Sequence, residues 1–166
     1  MEKIVKKMGA PSPQDNGTAT AVRIIGCSFL CLLIVSSVIA CAMWNVQQHT
    51  VSNSIMYYAG LFSAQLLNIG IVYLLFSGIK LQRPHYFQPF IISALLHLVV
   101  CITLSAIFFL YVVTRAVFYS TICDLAFFLV FAILTVYWSM AISVVREYRD
   151  YIIYDDFLHE SLPNFV

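Results

Sequence analysis

From Arg23 to Arg146 the chain is almost bare of charge. There is none between Arg23 and Lys80, and only Arg83, Arg115 and Asp124 between Lys80 and Arg146. An apolar run of about 20 residues matches the hydrocarbon layer of a bilayer when it is helical. The spacing of the polar breaks predicts four such helices, over residues 24–44, 55–79, 89–113 and 118–145. With no water inside the bilayer, each run must satisfy its backbone groups within itself, which selects helix. The runs are too long, and too apolar on every side, for strands of a membrane β-barrel. The composition agrees: 61% of residues are apolar and 10% charged, against about a quarter charged in soluble domains. The expected fold is all-α, an integral membrane four-helix bundle with the lipid bilayer as its solvent. A net charge of +1 gives no case for nucleic acid.

The direction of threading follows from Lys and Arg in short loops. Of the nine Lys and Arg residues, Lys3, Lys6, Lys7, Arg23, Lys80, Arg83, Arg146 and Arg149 fall on one side of a four-span chain, and Arg115 alone on the other. Both termini are therefore expected in the cytosol, with Arg23, Lys80, Arg83, Arg146 and Arg149 as anchors. The organisation read from sequence is a flexible cytosolic tail over 1–22, a four-span domain over 23–146 and a cytosolic tail over 147–166. The linker "KLQRPHYFQ" is a cytosolic hairpin, in which Pro84 and Pro89 keep the backbone out of helix before the third span. A rival reading takes Ala40 and Ala42 as a signal-peptide cleavage site, but the polar lead and the apolar core are both too long for one. Asn16 heads an "NGT" sequon that stays bare in a cytosolic tail. Lys3, Lys6 and Lys7 either touch anionic lipid or are solvated.

Polar side chains inside a membrane are costly and are functional candidates by default. Gln65 and Asn68 share one face of the second span, and Asn68 falls near its midplane. His97 in the third span lies on the order of 6 Å to the cytosolic side, within hydrogen-bonding depth of Asn68. Two readings stay open: an interhelical clasp, or a site handling protons or a solute. Asp124 lies roughly 9 Å below the outer surface, as a lumen-facing or packing carboxylate, or as a pH- or ion-sensitive group. Gly60 with Ala64, and Ser36 with Ala40, are small-xxx-small pairs that let helices approach. The five cysteines all fall in apolar segments without metal-ligand spacing. Cys27 and Cys31 are near the cytosolic face, where lipidation is an option; Cys41 and Cys123 are near the opposite face, where a disulfide is. No GxSxG, HExxH, P-loop or paired carboxylate occurs, so neither an enzyme nor a cofactor is expected.

The C-terminal tail holds "YDDF". Tyr154 and Phe157 there fit the tyrosine-x-x-bulky sorting signal that clathrin adaptors read from an extended segment. "LPNF", with Leu162, Pro163 and Phe165, stands near the Pro-containing ligands of WW domains, with Phe where those ligands end in Tyr. The alternative for this tail is an apolar stripe lying on the membrane surface.

"RIIGCSF" at the head of span one, "GIKLQRPHYFQPFII" at the second turn and "VYWSMAISVVREY" closing span four together resemble the lysosome-associated transmembrane proteins, within the wider MARVEL-like group of tetraspan vesicle proteins. The resemblance covers residues 23–148; the Pro-rich tail of that family is not matched. It implies residence in late endosomes or lysosomes and a part in trafficking or stabilising other integral membrane proteins; the plasma membrane is the alternative location. The expectation is thus a non-enzymatic tetraspan; the alternative is a small transporter or channel accessory subunit working through Asn68, His97 and Asp124.

Overall fold

Pro13 opens the first helix, where a missing N–H costs nothing and a fixed φ suits the helix. The computed structural model describes residues 13–44, 50–115 and 122–161. They form four long helices: α1 Pro13–Met43, α2 Val51–Leu81, α3 Gln88–Arg115 and α4 Ile122–Ser161, with a 3₁₀ turn Pro84–Phe87 between α2 and α3. All four are long and apolar enough to cross a membrane. The described chain is therefore all-α and has the make-up of a multi-pass membrane protein.

Two boundaries differ from the sequence reading. α1 starts at Pro13, so half of the expected N-terminal tail is helical. α4 continues without a break to Ser161, through most of the expected C-terminal tail. At 40 residues α4 is about 60 Å long, twice the hydrocarbon thickness. The expected start of the fourth span, residues 118–121, lies outside the described residues.

The chain divides into two compact units, Met1–Tyr86 and Phe87–Val166. In the first, α1 and α2 form an antiparallel pair. Val22, Gly26, Phe29 and Leu33 line up on α1 at alternating spacings of four and three, and all are buried. On α2 the buried Ser54, Val72, Leu75 and Ile79 fall on one heptad seam with Tyr58, Leu61, Gln65 and Asn68. The helices approach closely at Gly26, where an added Cβ would lie 2.9 Å from the Phe76 ring and 3.3 Å from Leu75. At the other end Trp44 stacks on Tyr57, with ring centroids 3.9 Å apart. Its indole N–H donates to the Ser54 hydroxyl at 3.3 Å, and the Tyr57 hydroxyl donates to the Ala40 carbonyl at 3.1 Å. Aromatic rings with one polar tip belong at a membrane–water boundary.

α2 is capped at both ends. The Thr50 hydroxyl accepts from the Asn53 N–H at 3.4 Å. At the C-terminus Gln82 takes a left-handed conformation, φ 52° and ψ 40°, and returns its N–H to the Gly78 carbonyl. Pro84 excludes helix for the residue before it, so the chain must turn here. The Gln82 amide also donates to the Ile79 carbonyl at 3.1 Å, satisfying a group the helix end leaves over.

In the second unit α3 and α4 pack along their length through an aromatic ladder. Phe87 meets Tyr148 at 5.6 Å, His97 meets Trp138 at 4.9 Å and Phe108 meets Phe127 at 5.2 Å. From Phe87, the last residue of the 3₁₀ turn, the steps are ten then eleven residues forward into α3, and ten then eleven residues back on α4. Three turns of helix take about eleven residues, so the rungs stay on one face and the antiparallel register is constant. Between them Phe90, Ile91, Ala94, Cys101, Ala141, Ile142 and Val145 are buried.

Candidate functional site: span polar residues and the end of the fourth helix

Gln65 and Asn68 are half-buried and share the α2 seam with Val72 and Leu75. Gln65 borders a shallow groove between α1 and α2, about 320 Å3 in volume, lined also by Ser37, Cys41, Tyr58, Leu61 and Phe62. The side chain with which sequence paired Asn68, His97, belongs to the other unit. Its ring is fixed locally: Nδ1–H donates to the Ser93 carbonyl one turn back at 2.7 Å. A carbonyl can only accept, which assigns the proton to Nδ1. The ring then lies against Trp138 at an interplanar angle of 30°. Sequence reasoning did not foresee Trp138 as the neighbour of His97. The available signal was a Trp well inside a span, away from the boundary where Trp is usual.

Asp124 is half-buried and lies in the first turn of α4. There the unpaired N–H groups and the positive end of the helix dipole favour a carboxylate. Trp138 marks the level of His97 on α4, and Asp124 is fourteen residues before it, about 21 Å along the axis. The two are not brought together. The Arg115 and Cys123 side chains lie outside the described residues, so the questions of Arg115 with Asp124 and of Cys41 with Cys123 lie there too. Cys27, Cys31, Cys41 and Cys101 are free thiols.

The span hydroxyls also bond to their own helices. Ser28 donates to Ile25, Ser37 to Leu33, Ser63 to Ala59, Thr103 to Val99, Thr135 to Phe131 and Ser139 to Thr135, all to backbone carbonyls at 2.7–3.0 Å. Such bonds satisfy a hydroxyl in an apolar medium without a second helix. No group of three His, Cys, Asp or Glu side chains gathers among the described residues. The small pair Gly60 and Ala64 is exposed, with nothing within 4 Å of where a Gly60 Cβ would be.

Among the described residues, Arg23, Lys80 and Arg83 lie at one end of the first unit, and Arg146 and Arg149 at one end of the second, whose opposite end carries Arg115 as the last residue of α3. Gly26 opposite Leu75 and Phe76 puts Arg23 level with the exposed Lys80, and Arg83 follows. In the second unit Arg146 and Arg149 flank Tyr148, which packs on Phe87. Arg149 is paired with the adjacent Asp150 at 2.6 Å. Lys80, in the last turn of α2, also complements the negative end of that helix's dipole.

Beyond Arg149, α4 buries Ile152 and leaves Tyr154 63% and Phe157 66% exposed. Three residues apart, these two rings share one helical face. The "YDDF" segment is thus displayed, but as helix and not as the extended strand that sequence reasoning required. Leu162, Pro163 and Phe165 lie outside the described residues. Comparison with models of known families, with curated proteins and with solved structures finds no match to this chain.

Proposed function

We propose that this protein is a non-catalytic four-span component of endosomal or lysosomal membranes, with both termini in the cytosol. It engages other integral membrane proteins through its helices and clathrin adaptors through the end of α4. The observation that carries this reading is the pair Tyr154 and Phe157, exposed on one face about 12 Å past Arg146 along the helix. Residues at that distance from the last basic anchor clear the headgroups and reach cytosolic partners. The excess of basic residues at one end of each unit, Arg23, Lys80 and Arg83 in the first and Arg146 and Arg149 against Arg115 in the second, and the resemblance of "RIIGCSF", "GIKLQRPHYFQPFII" and "VYWSMAISVVREY" to the lysosome-associated tetraspans support the same reading. The span polar groups add to it. His97 and the hydroxyls are satisfied on their own helices, and Asp124 is three to four turns from the level of His97, which is unlike a continuous polar path.

The experiment is localisation of a Tyr154→Ala variant. The expected result is a shift from internal vesicles to the cell surface; unchanged distribution removes the sorting role. Solute or proton flux in reconstituted vesicles that falls in Asp124→Asn or His97→Ala would replace this reading with transport.

A further inference from the structure

Cys27 and Cys31 are both exposed, and one turn apart they lie on the same face of α1. Arg23, also exposed, precedes Cys27 by one turn on that face. It is the last charged residue before the apolar run, so its guanidinium must reach the headgroups while its stem lies in the hydrocarbon. At 1.5 Å per residue, Cys27 lies about 6 Å and Cys31 about 12 Å further in. Past them the same face continues with Ile34, 65% exposed, Val35, 55%, and Val38, 63%. This is an apolar track leading away from the basic end. The other described cysteines differ in kind: Cys101 is buried, and Cys41 is at the far end of α1 beside Trp44.

We propose that Cys27 and Cys31 are S-acylation sites, each carrying a long-chain fatty acid whose hydrocarbon lies along Ile34, Val35 and Val38. The donor is a fatty acyl-coenzyme A, delivered by a membrane acyltransferase at the cytosolic face. The cysteine sulfur attacks the acyl carbonyl carbon and a new thioester forms. The carbon–sulfur bond to coenzyme A breaks, and the cysteine proton ends on the coenzyme A thiol. One thioester replaces another, so no oxidant or reductant is needed. The modification exchanges two polarizable thiols, about 6 Å and 12 Å inward of Arg23, for two acyl chains already in their own solvent. It also anchors the first unit at its basic end, independently of the end of α4. The inference rests on the cytosolic placement of the N-terminus proposed above.

The test is thioester-specific acyl exchange on the full-length protein from cells: hydroxylamine cleavage, then a mass tag on each freed thiol. Two mass increments are expected for the wild type, one for Cys27→Ser, one for Cys31→Ser and none for the double variant. Both side chains are exposed, so the serine variants keep the fold, which retention of the monodisperse detergent-purified form checks. Glycosylation of Asn16 is read on the same samples. Absent increments with Asn16 bare overturn acylation and leave the orientation standing. Increments that persist in the double variant overturn the site assignment. A glycan on Asn16 overturns the orientation and the proposal with it.

Discussion

A Cβ at position 26 would lie 2.9 Å from two ring carbons of Phe76, closer than real carbon atoms approach. Glycine is what lets α1 and α2 come together at their basic ends. Gly26→Ala asks the far edge of the Phe76 ring to turn and the end of the Leu75 side chain, 3.3 Å away, to give slightly, so the expected loss is at the low end of the about 1–3 kcal/mol typical of overpacking. Gly26→Leu drives a branched chain further into both neighbours and is expected to cost more. Phe76→Leu should restore most of the Gly26→Ala loss. Thermal unfolding of the detergent-purified variants measures this, and a double variant no better than Gly26→Ala would mean the contact is not limiting. Gln82 makes a second residue-scale case. Its left-handed backbone costs a side-chain-bearing residue about 1–2 kcal/mol, partly offset by its amide bond to Ile79. Gln82→Gly is expected to unfold near the wild-type temperature and Gln82→Val well below it, because a β-branched residue resists that conformation. Neither site was legible in sequence beyond "glycine at the head of a span" and "a turn before Pro84". A sequence does not say which ring a glycine will face.

Among elements, the α3–α4 pair is held by rungs whose ten- and eleven-residue steps match on both helices. In lipid there is no hydrophobic drive between helices, so association depends on close packing, and ring pairs in register, edge-to-face at Phe87–Tyr148, tilted at His97–Trp138 and stacked at Phe108–Phe127, supply it. Trp138 is 3% exposed; Trp138→Ala is expected to lose about 3–5 kcal/mol. Val136→Ala, on the 61% exposed face, should change stability by about 0.5 kcal/mol or less. Equal losses in chemical unfolding would show that the ladder is not what holds the pair. α4 itself corrects the expectation of an extended tail. Hydropathy stops at Arg146, but the buried series Val145, Tyr148 and Ile152 keeps helical spacing past it, so the helix runs on. The sorting segment is then held in the wrong backbone conformation for an adaptor. A proline inside a helix costs about 3 kcal/mol, so Asp155→Pro should open the segment while leaving Tyr154 and Phe157 in place. Stronger binding of purified adaptor to Asp155→Pro, lost again when Tyr154→Ala is added, is the expected outcome. Weaker binding in Asp155→Pro alone would mean the helical form is the one recognised.

At the scale of the molecule, Arg23, Lys80 and Arg83 share one end of the α1–α2 pair and Arg146 and Arg149 one end of the α3–α4 pair, against Arg115 alone at its other end, and the expected consequence is a chain with both ends in the cytosol. Epitope tags at residues 1 and 166 should both become accessible when only the plasma membrane is permeabilised. Protection of either tag would break the assignment. The sequence by itself determined the four helices and their approximate spans, because the length of an apolar run is matched against a hydrocarbon thickness that is the same for every protein. It also determined which ends carry the positive charge, because charge needs no neighbour to be read. Only the tertiary structure decided that the helices pair as α1 with α2 and α3 with α4. It alone turned His97 to Trp138 and its own backbone and carried α4 to Ser161; the separation of His97 from Asp124 was already legible in their depths along the spans. The pairing, the turn of His97 and the run of α4 depend on which faces interlock and at what register. In a chain that is apolar nearly all round, hydropathy contains no mark of the inward face; the fit of side chain against side chain selects it.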